Sequence, residues 1–156
     1  MMIPASMEIH ITKGRFGFGW IEGIAILVNP LDWAYPDWVE YCELLASLGE
    51  ATHHYSVGLN YAPGRGPTDE EVAVHTQYLP RARLHRLRRV ALMTDNQATE
   101  AAQGAAVDVM PARFPWRPCP IAQLDDAFNW LHEQAPFDVD GARRLLTELS
   151  RLVYSP

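Results

Sequence analysis

The sequence predicts an α/β fold, and three observations carry that reading. From Ile24 onward, short apolar or alternating runs rich in β-branched residues take turns with segments whose apolar residues recur every three or four positions. Ahead of that alternation, Phe16, Phe18 and Trp20 recur at a spacing of two, the period of a strand. Hydrophobic residues make up 48% of the 156 and charged residues 21%, so the chain can bury a core without disulfide or metal staples.

The elements follow in order. Met7 to Thr12 alternates as a strand, Lys13-Gly14 is a turn signal, and the Phe16 to Trp20 segment returns as the second arm of an N-terminal hairpin. Its aromatics are expected to bury on one face, while Gly17 and Gly19 let another backbone or ring approach closely. After Glu22-Gly23, the continuous run Ile24 to Val28 reads as a central strand buried on both faces. Asn29 to Pro36 is turn-rich, and Asp37 is an N-cap candidate for a helix carrying Trp38, Tyr41, Leu44, Leu45 and Leu48, closed by Gly49.

Thr52 to Tyr61 is the next strand, with Gly58 inside it. Ala62 to Pro67 is a loop, and Thr68-Asp69-Glu70-Glu71 has the Thr-x-x-Glu spacing of a capping box opening a helix with Val72, His75, Gln77 and Tyr78. Leu87 to Thr94 holds the strand Val90 to Met93, and Ala98 to Val109 is an Ala-rich helix. Four prolines between Pro111 and Pro120 predict a short edge strand around Ala112 to Trp116. Ile121 to Glu133 is an amphipathic helix with Leu124, Ala127, Phe128 and Leu131 on one face. A last helix from Asp140-Gly141 carries Leu145, Leu146, Leu149, Leu152 and Val153 as one stripe. Residues 1 to 135 thus read as one domain, with residues 136 to 156 appended to it.

Composition narrows the function classes. The formal charge is −6, yet Arg81, Arg83, Arg86, Arg88 and Arg89 fall within nine positions. An acidic whole disfavours general nucleic-acid binding, while the Arg cluster offers a docking patch or, equally, a solvated face. The longest aliphatic run is five residues, far short of a membrane span, and the N-terminus lacks the features of a secretory signal, which predicts a cytoplasmic chain. Cys42 and Cys119 are too few for a disulfide framework and read as buried thiols.

No motif names a reaction or a metal. His53 and His54 are adjacent, and neighbours on a strand face opposite ways, so they cannot readily share one ion. His10, His75, His85 and His132 read as surface or packing residues. Asp125-Asp126 pairs two carboxylates, but acids in a first helical turn are favoured by the macrodipole alone. No Gly-x-Ser-x-Gly elbow is present, so no catalytic residue, metal or cofactor is assigned. The leading site candidate is the loop with Gly64, Arg65, Gly66 and Thr68, whose exposed amides at a helix N-terminus, with Arg65, suit an anion. A turn followed by an N-cap accounts for the same residues.

Arg89-Val90-Ala91-Leu92-Met93-Thr94-Asp95, the Ala-rich helix, Arg113-Phe114 and then Leu124-Asp125-Asp126-Ala127-Phe128-Asn129-Trp130-Leu131 resemble the second half of SpoIIAA-like, STAS-type domains. The resemblance spans roughly Gly23 to Leu131 and rests on packing motifs. It implies a mixed sheet with helices packed mainly on one face, in a family used for docking, regulation or small-ligand binding. The family's phosphorylatable Asp-Ser segment has no clear counterpart here.

Three functional readings compete. The first is a non-catalytic interaction or regulatory module that self-associates or joins an assembly, docking through Arg81, Arg83, Arg86, Arg88, Leu145, Leu149 and Leu152. The last helix equally suits packing on its own sheet. The second is a small-ligand or nucleotide-binding domain, with Phe16, Phe18 and Trp20 lining an apolar cavity. The third is an enzyme gathering His54, Asp95 and Thr68 at strand ends.

Overall fold

Six strands lie side by side in chain order, β1-β2-β3-β4-β5-β6, in the computed structural model of the chain. It describes residues 8–12, 16–47, 54–78, 80, 87–109 and 114–154. The expected turn at Lys13-Gly14, the helix stop at Gly49, and His53, Arg81, Arg83, His85 and Arg86 lie outside those residues.

β1 (Glu8–Thr12) and β2 (Phe16–Ile21) pair antiparallel, with Thr12 opposite Phe16. β3 (Gly23–Val28) folds back on β2 through a tight turn, where Gly23 has a φ of +100°. An added Cβ there would also lie 2.9 Å from the Pro136 carbonyl oxygen, so both conformation and space demand glycine. From β3 onward the pairing is parallel, through β4 (Tyr55–Tyr61), β5 (Arg89–Met93) and β6 (Trp116–Cys119). The crossovers are α1 (Tyr35–Ser47), α2 (Asp69–Tyr78) and α3 (Gln97–Val109). Each steps one strand in the same direction, so a common crossover hand puts all three helices on one face of the sheet.

That face holds the aromatic half of the core. Phe16, Phe18, Ala25 and Leu27 from the sheet meet Trp38, Tyr41 and Cys42 of α1 and Val74 of α2. The opposite face is covered by α4 (Leu124–Gln134) and α5 (Val139–Tyr154), which follow β6. There Ile24, Ile26, Val28, Val57, Leu59, Ala91 and Met93 pack on Ala127, Phe128, Leu131, Leu145, Leu149 and Val153. Side chains alternate across a strand, so Ile24 to Val28 serves both layers and is buried throughout. Gly17, between Phe16 and Phe18, faces α5; a Cβ there would lie 3.1 Å from Val153 and 3.3 Å from Leu149. Its missing side chain lets the helix settle on the hairpin.

Three expectations need correction. α1 begins at Tyr35, because the Ala34 carbonyl already accepts from the Asp37 and Trp38 amides; Asp37 sits in the first turn, favoured by the macrodipole. The edge strand runs from Trp116 to Cys119, later than expected, and Pro118 lies inside it. The Val90 amide bonds Pro115 O and the Thr94 amide bonds Cys119 O, so odd-numbered residues of β6 face β5 and the missing Pro118 N–H points outward, where it leaves the ladder intact. Finally, α5 is not an appendage. Leu145 and Leu149 are fully buried on the chain's own sheet, with Leu152 half-buried, so of the two roles expected for the stripe, docking a partner or packing on its own sheet, it has the second. The Tyr154 hydroxyl completes the fit by donating to Asn29 O at 2.5 Å.

Candidate functional site

Parallel strands with crossovers leave a crevice beyond their carboxyl ends, the usual ligand position in open α/β sheets. Here β3 ends at Val28 and β4 at Tyr61, and the chain turns away to α1 and α2. Asn29 holds the two ends together: its backbone N–H and its Nδ2 both donate to Tyr61 O, at 2.8 and 2.9 Å, and Nδ2 also donates to Asn60 Oδ1 at 2.5 Å.

Above them lies a cavity of about 40 Å³. Trp33, Trp38 and Tyr41 form an aromatic wall, with Trp33 edge-on to Trp38 at 5.0 Å between ring centres. His75 enters from α2, enclosed by Trp38 at 5.3 Å and Tyr41 at 5.8 Å. Thr99 and Gln103 enter from α3. His75 is 8% exposed, and its Nε2 has no hydrogen-bond partner among the described residues. Thr99 Oγ1, also buried, has none either. Buried polar atoms are almost always paired, with protein, water or ligand, so these two atoms set this cavity apart from the rest of the core.

The predicted loop forms one rim. Thr68 and Glu71 make the reciprocal capping box: the Glu71 amide donates to Thr68 Oγ1 at 3.2 Å and the Thr68 amide to Glu71 Oε1 at 3.4 Å. Glu71 is a buried carboxylate and pairs with Arg65 Nη1 at 2.8 Å. Arg65 also bonds Asp32 through Nε, Trp33 O through Nη2 at 3.0 Å and Gly66 O through Nη1 at 2.9 Å. The guanidinium is thus a clasp between two loops and α2, its charge answered by two carboxylates, and Glu71 and then Asp32 hold its pKa above the ordinary value. The glycines serve close packing. A Cβ on Gly64 would lie 2.2 Å from Leu31 O, and one on Gly66 2.6 Å from Ala98 Cβ. The Arg65 amide is spent on Leu31 O at 3.2 Å, so this rim holds the cavity's shape.

Burial alone pushes the His75 imidazole down to about 4, so the ring is neutral at pH 7. An unfolded His titrates near 6.5, so the stability that depends on the neutral ring is complete above that pH and is lost as pH falls through the folded value. Denaturant titrations of the wild type and His75→Gln from pH 7 to 4 should show the wild type losing roughly 3 kcal/mol more than the variant. Parallel losses would mean that His75 is not the buried titrating group.

The remaining candidates are dispersed. Phe16 and Phe18 pack in the core, and neither they nor Trp20 line the cavity, although Phe16 backs its wall at 5.7 Å from Trp33. Trp20 stacks on His54 at 4.4 Å. His54 precedes β4, whereas Thr68 and Asp95 follow β4 and β5, so the length of a strand, about 20 Å, separates His54 from the other two. Arg88 is exposed, while Arg89 lies over Trp130 at 4.8 Å and donates to its carbonyl oxygen at 2.8 Å. Asp125 pairs with Arg143, tying α4 to α5. Both cysteines are free and buried, and burial raises each thiol, Cys42 to about 12. Among the described residues no cluster of metal-ligating side chains occurs, and no helix is long and apolar enough to cross a membrane. A wider cleft of about 330 Å³ opens beside β6 and α4, lined by Arg117, Asp126, Trp130 and Glu133, but among the described residues no buried orphaned polar atom belongs to its lining.

Comparison with protein-family models, curated proteins and solved structures finds no match. The case for function therefore rests on the cavity. Sequence reasoning passed over His75, Thr99, Asn29 and Asn60. One signal was available: Glu71, Val74 and His75 recur at a spacing of three and four, which puts two polar side chains on the helix's inward face.

Proposed function

We propose that this chain is a non-catalytic regulatory domain that binds a small polar molecule in the cavity at the carboxyl ends of β3 and β4. The observation that carries the reading is the pair of orphaned polar atoms, His75 Nε2 and Thr99 Oγ1, on two residues that line one cavity. A buried hydroxyl or imidazole without a partner costs about 1–3 kcal/mol, so a ligand that answers both gains free energy beyond its own contacts. The aromatic wall adds contact area, and the Arg65 clasp fixes the rim before the ligand arrives, which lowers the ordering cost of binding. The SpoIIAA-like resemblance supports a regulatory use. Docking through the last helix has less support, since Leu145 and Leu149 are occupied by the chain's own sheet.

The test is thermal-shift screening of polar metabolites against the wild type and Ala102→Leu, a substitution that fills the cavity from α3. At 100 times its dissociation constant a ligand should add about 2.7 kcal/mol, or roughly 5–11 °C in Tm for a domain of this size. That gain should vanish in Ala102→Leu. A flat screen, or a hit that stabilises both proteins equally, would sink the proposal.

A further inference from the structure

Resting on that ligand-binding reading, we infer that the cavity selects an uncharged, hydrogen-bonding molecule of about three to four heavy atoms, at ~10–15 Å³ for each water-sized group, over ions of the same shape. Size follows from the 40 Å³ of space, and selectivity follows from the charges around it.

Arg65 is the charged side chain on the lining, and it is already answered by buried Glu71 and by Asp32. His75 adds no charge, because burial keeps its ring neutral at pH 7. An ion entering the cavity gives up its hydration and finds no unpaired opposite charge. A neutral molecule loses far less hydration and recovers it. Thr99 Oγ1 both donates and accepts, and His75 Nε2 does one or the other according to tautomer, so the two atoms suit a ligand that carries both a donor and an acceptor. The faces of Trp33, Trp38 and Tyr41 suit a flat group such as a primary amide.

Acetamide, acetate and acetamidinium have one shape and charges of zero, minus one and plus one, and so isolate charge as the variable. The full chain is titrated with each at pH 7.5 and constant ionic strength. The His75 ring resonances are followed by NMR and assigned by their loss in His75→Gln. The expected result is a saturable shift with acetamide, at least tenfold tighter than with either ion and weakened several-fold in Thr99→Val, which keeps the shape and removes the hydroxyl. If acetate or acetamidinium binds as tightly as acetamide, the neutrality inference is overturned while ligand binding stands. If none of the three moves the resonances, the cavity holds water only, and both readings fall.

Discussion

A chain ending after Gln134 should not fold. Removing the remainder takes Phe137, Leu145, Leu146, Leu149 and Val153 out of the core and exposes the sheet residues beneath them. Full burial of each such side chain is worth about 1.5–3 kcal/mol, so the five together contribute about 8–15 kcal/mol. That is comparable to the whole ~5–15 kcal/mol by which an ordinary domain is stable. The truncated chain should show poor amide dispersion by NMR, no cooperative melt and a strong tendency to aggregate. A folded monomer that melts cooperatively would mean that α5 is dispensable, and the description of it as a core element would be wrong.

The second large effect falls on Glu71. This carboxylate completes the capping box of α2, pairs with Arg65 and is almost fully buried, while its own carbonyl oxygen accepts from Trp38 Nε1 at 2.6 Å. Breaking a buried pair by removing one partner costs about 3–5 kcal/mol; Arg65 is about one-third exposed, which places this case at the lower end. The lost cap adds about 1 kcal/mol. Glu71→Ala should therefore lower stability by about 4 kcal/mol in denaturant titration, by the sum of those two effects. Glu71→Gln keeps an acceptor for the Thr68 amide and for Arg65, and should cost about half as much. Equal losses in the two variants would show that the negative charge, the one feature both remove, rather than shape or a neutral acceptor, is what the position requires.

The fold was legible where local chemistry and tertiary packing agree. The Thr68-x-x-Glu71 spacing gave the start of α2, and the unbroken run Ile24 to Val28 gave the strand shared by both layers, because burial on two faces removes the polar alternation. The phenylalanine and glycine alternation in β2 gave an aromatic face and a close-approach face, and both are used. Boundaries failed where a competing rule was locally stronger. Pro118 argued the edge strand away from its actual position, because a chain pattern does not tell which way a missing amide points. The last helix read as two possibilities, since an apolar stripe looks the same whether its partner is the chain's own sheet or another molecule.

The cavity was hardest to see. Its lining joins Asn29, Trp38, Asn60, His75 and Thr99 from five separate segments, and no two of them fall within a motif. His75 in isolation is indistinguishable from a packing residue. What sets it apart is an unmatched Nε2 on a residue that lines the same cavity as Thr99, whose hydroxyl is also unmatched, a fact of three-dimensional accounting.

The order of the strands also governs how the protein comes into being. Successive crossovers let β3, β4, β5 and β6 be added to the sheet one after another as the ribosome delivers them, with only short-range loops to close. The α5 helix breaks that progression, returning past β5 and β4 to lie over β2 and β3. Until residues 139 to 154 have been made and released, Ile24, Ile26 and Val28 present an open apolar surface. A nascent chain is thus most vulnerable to aggregation after β6 and before α5 is complete, when all six strands exist and the α5 part of their cover does not.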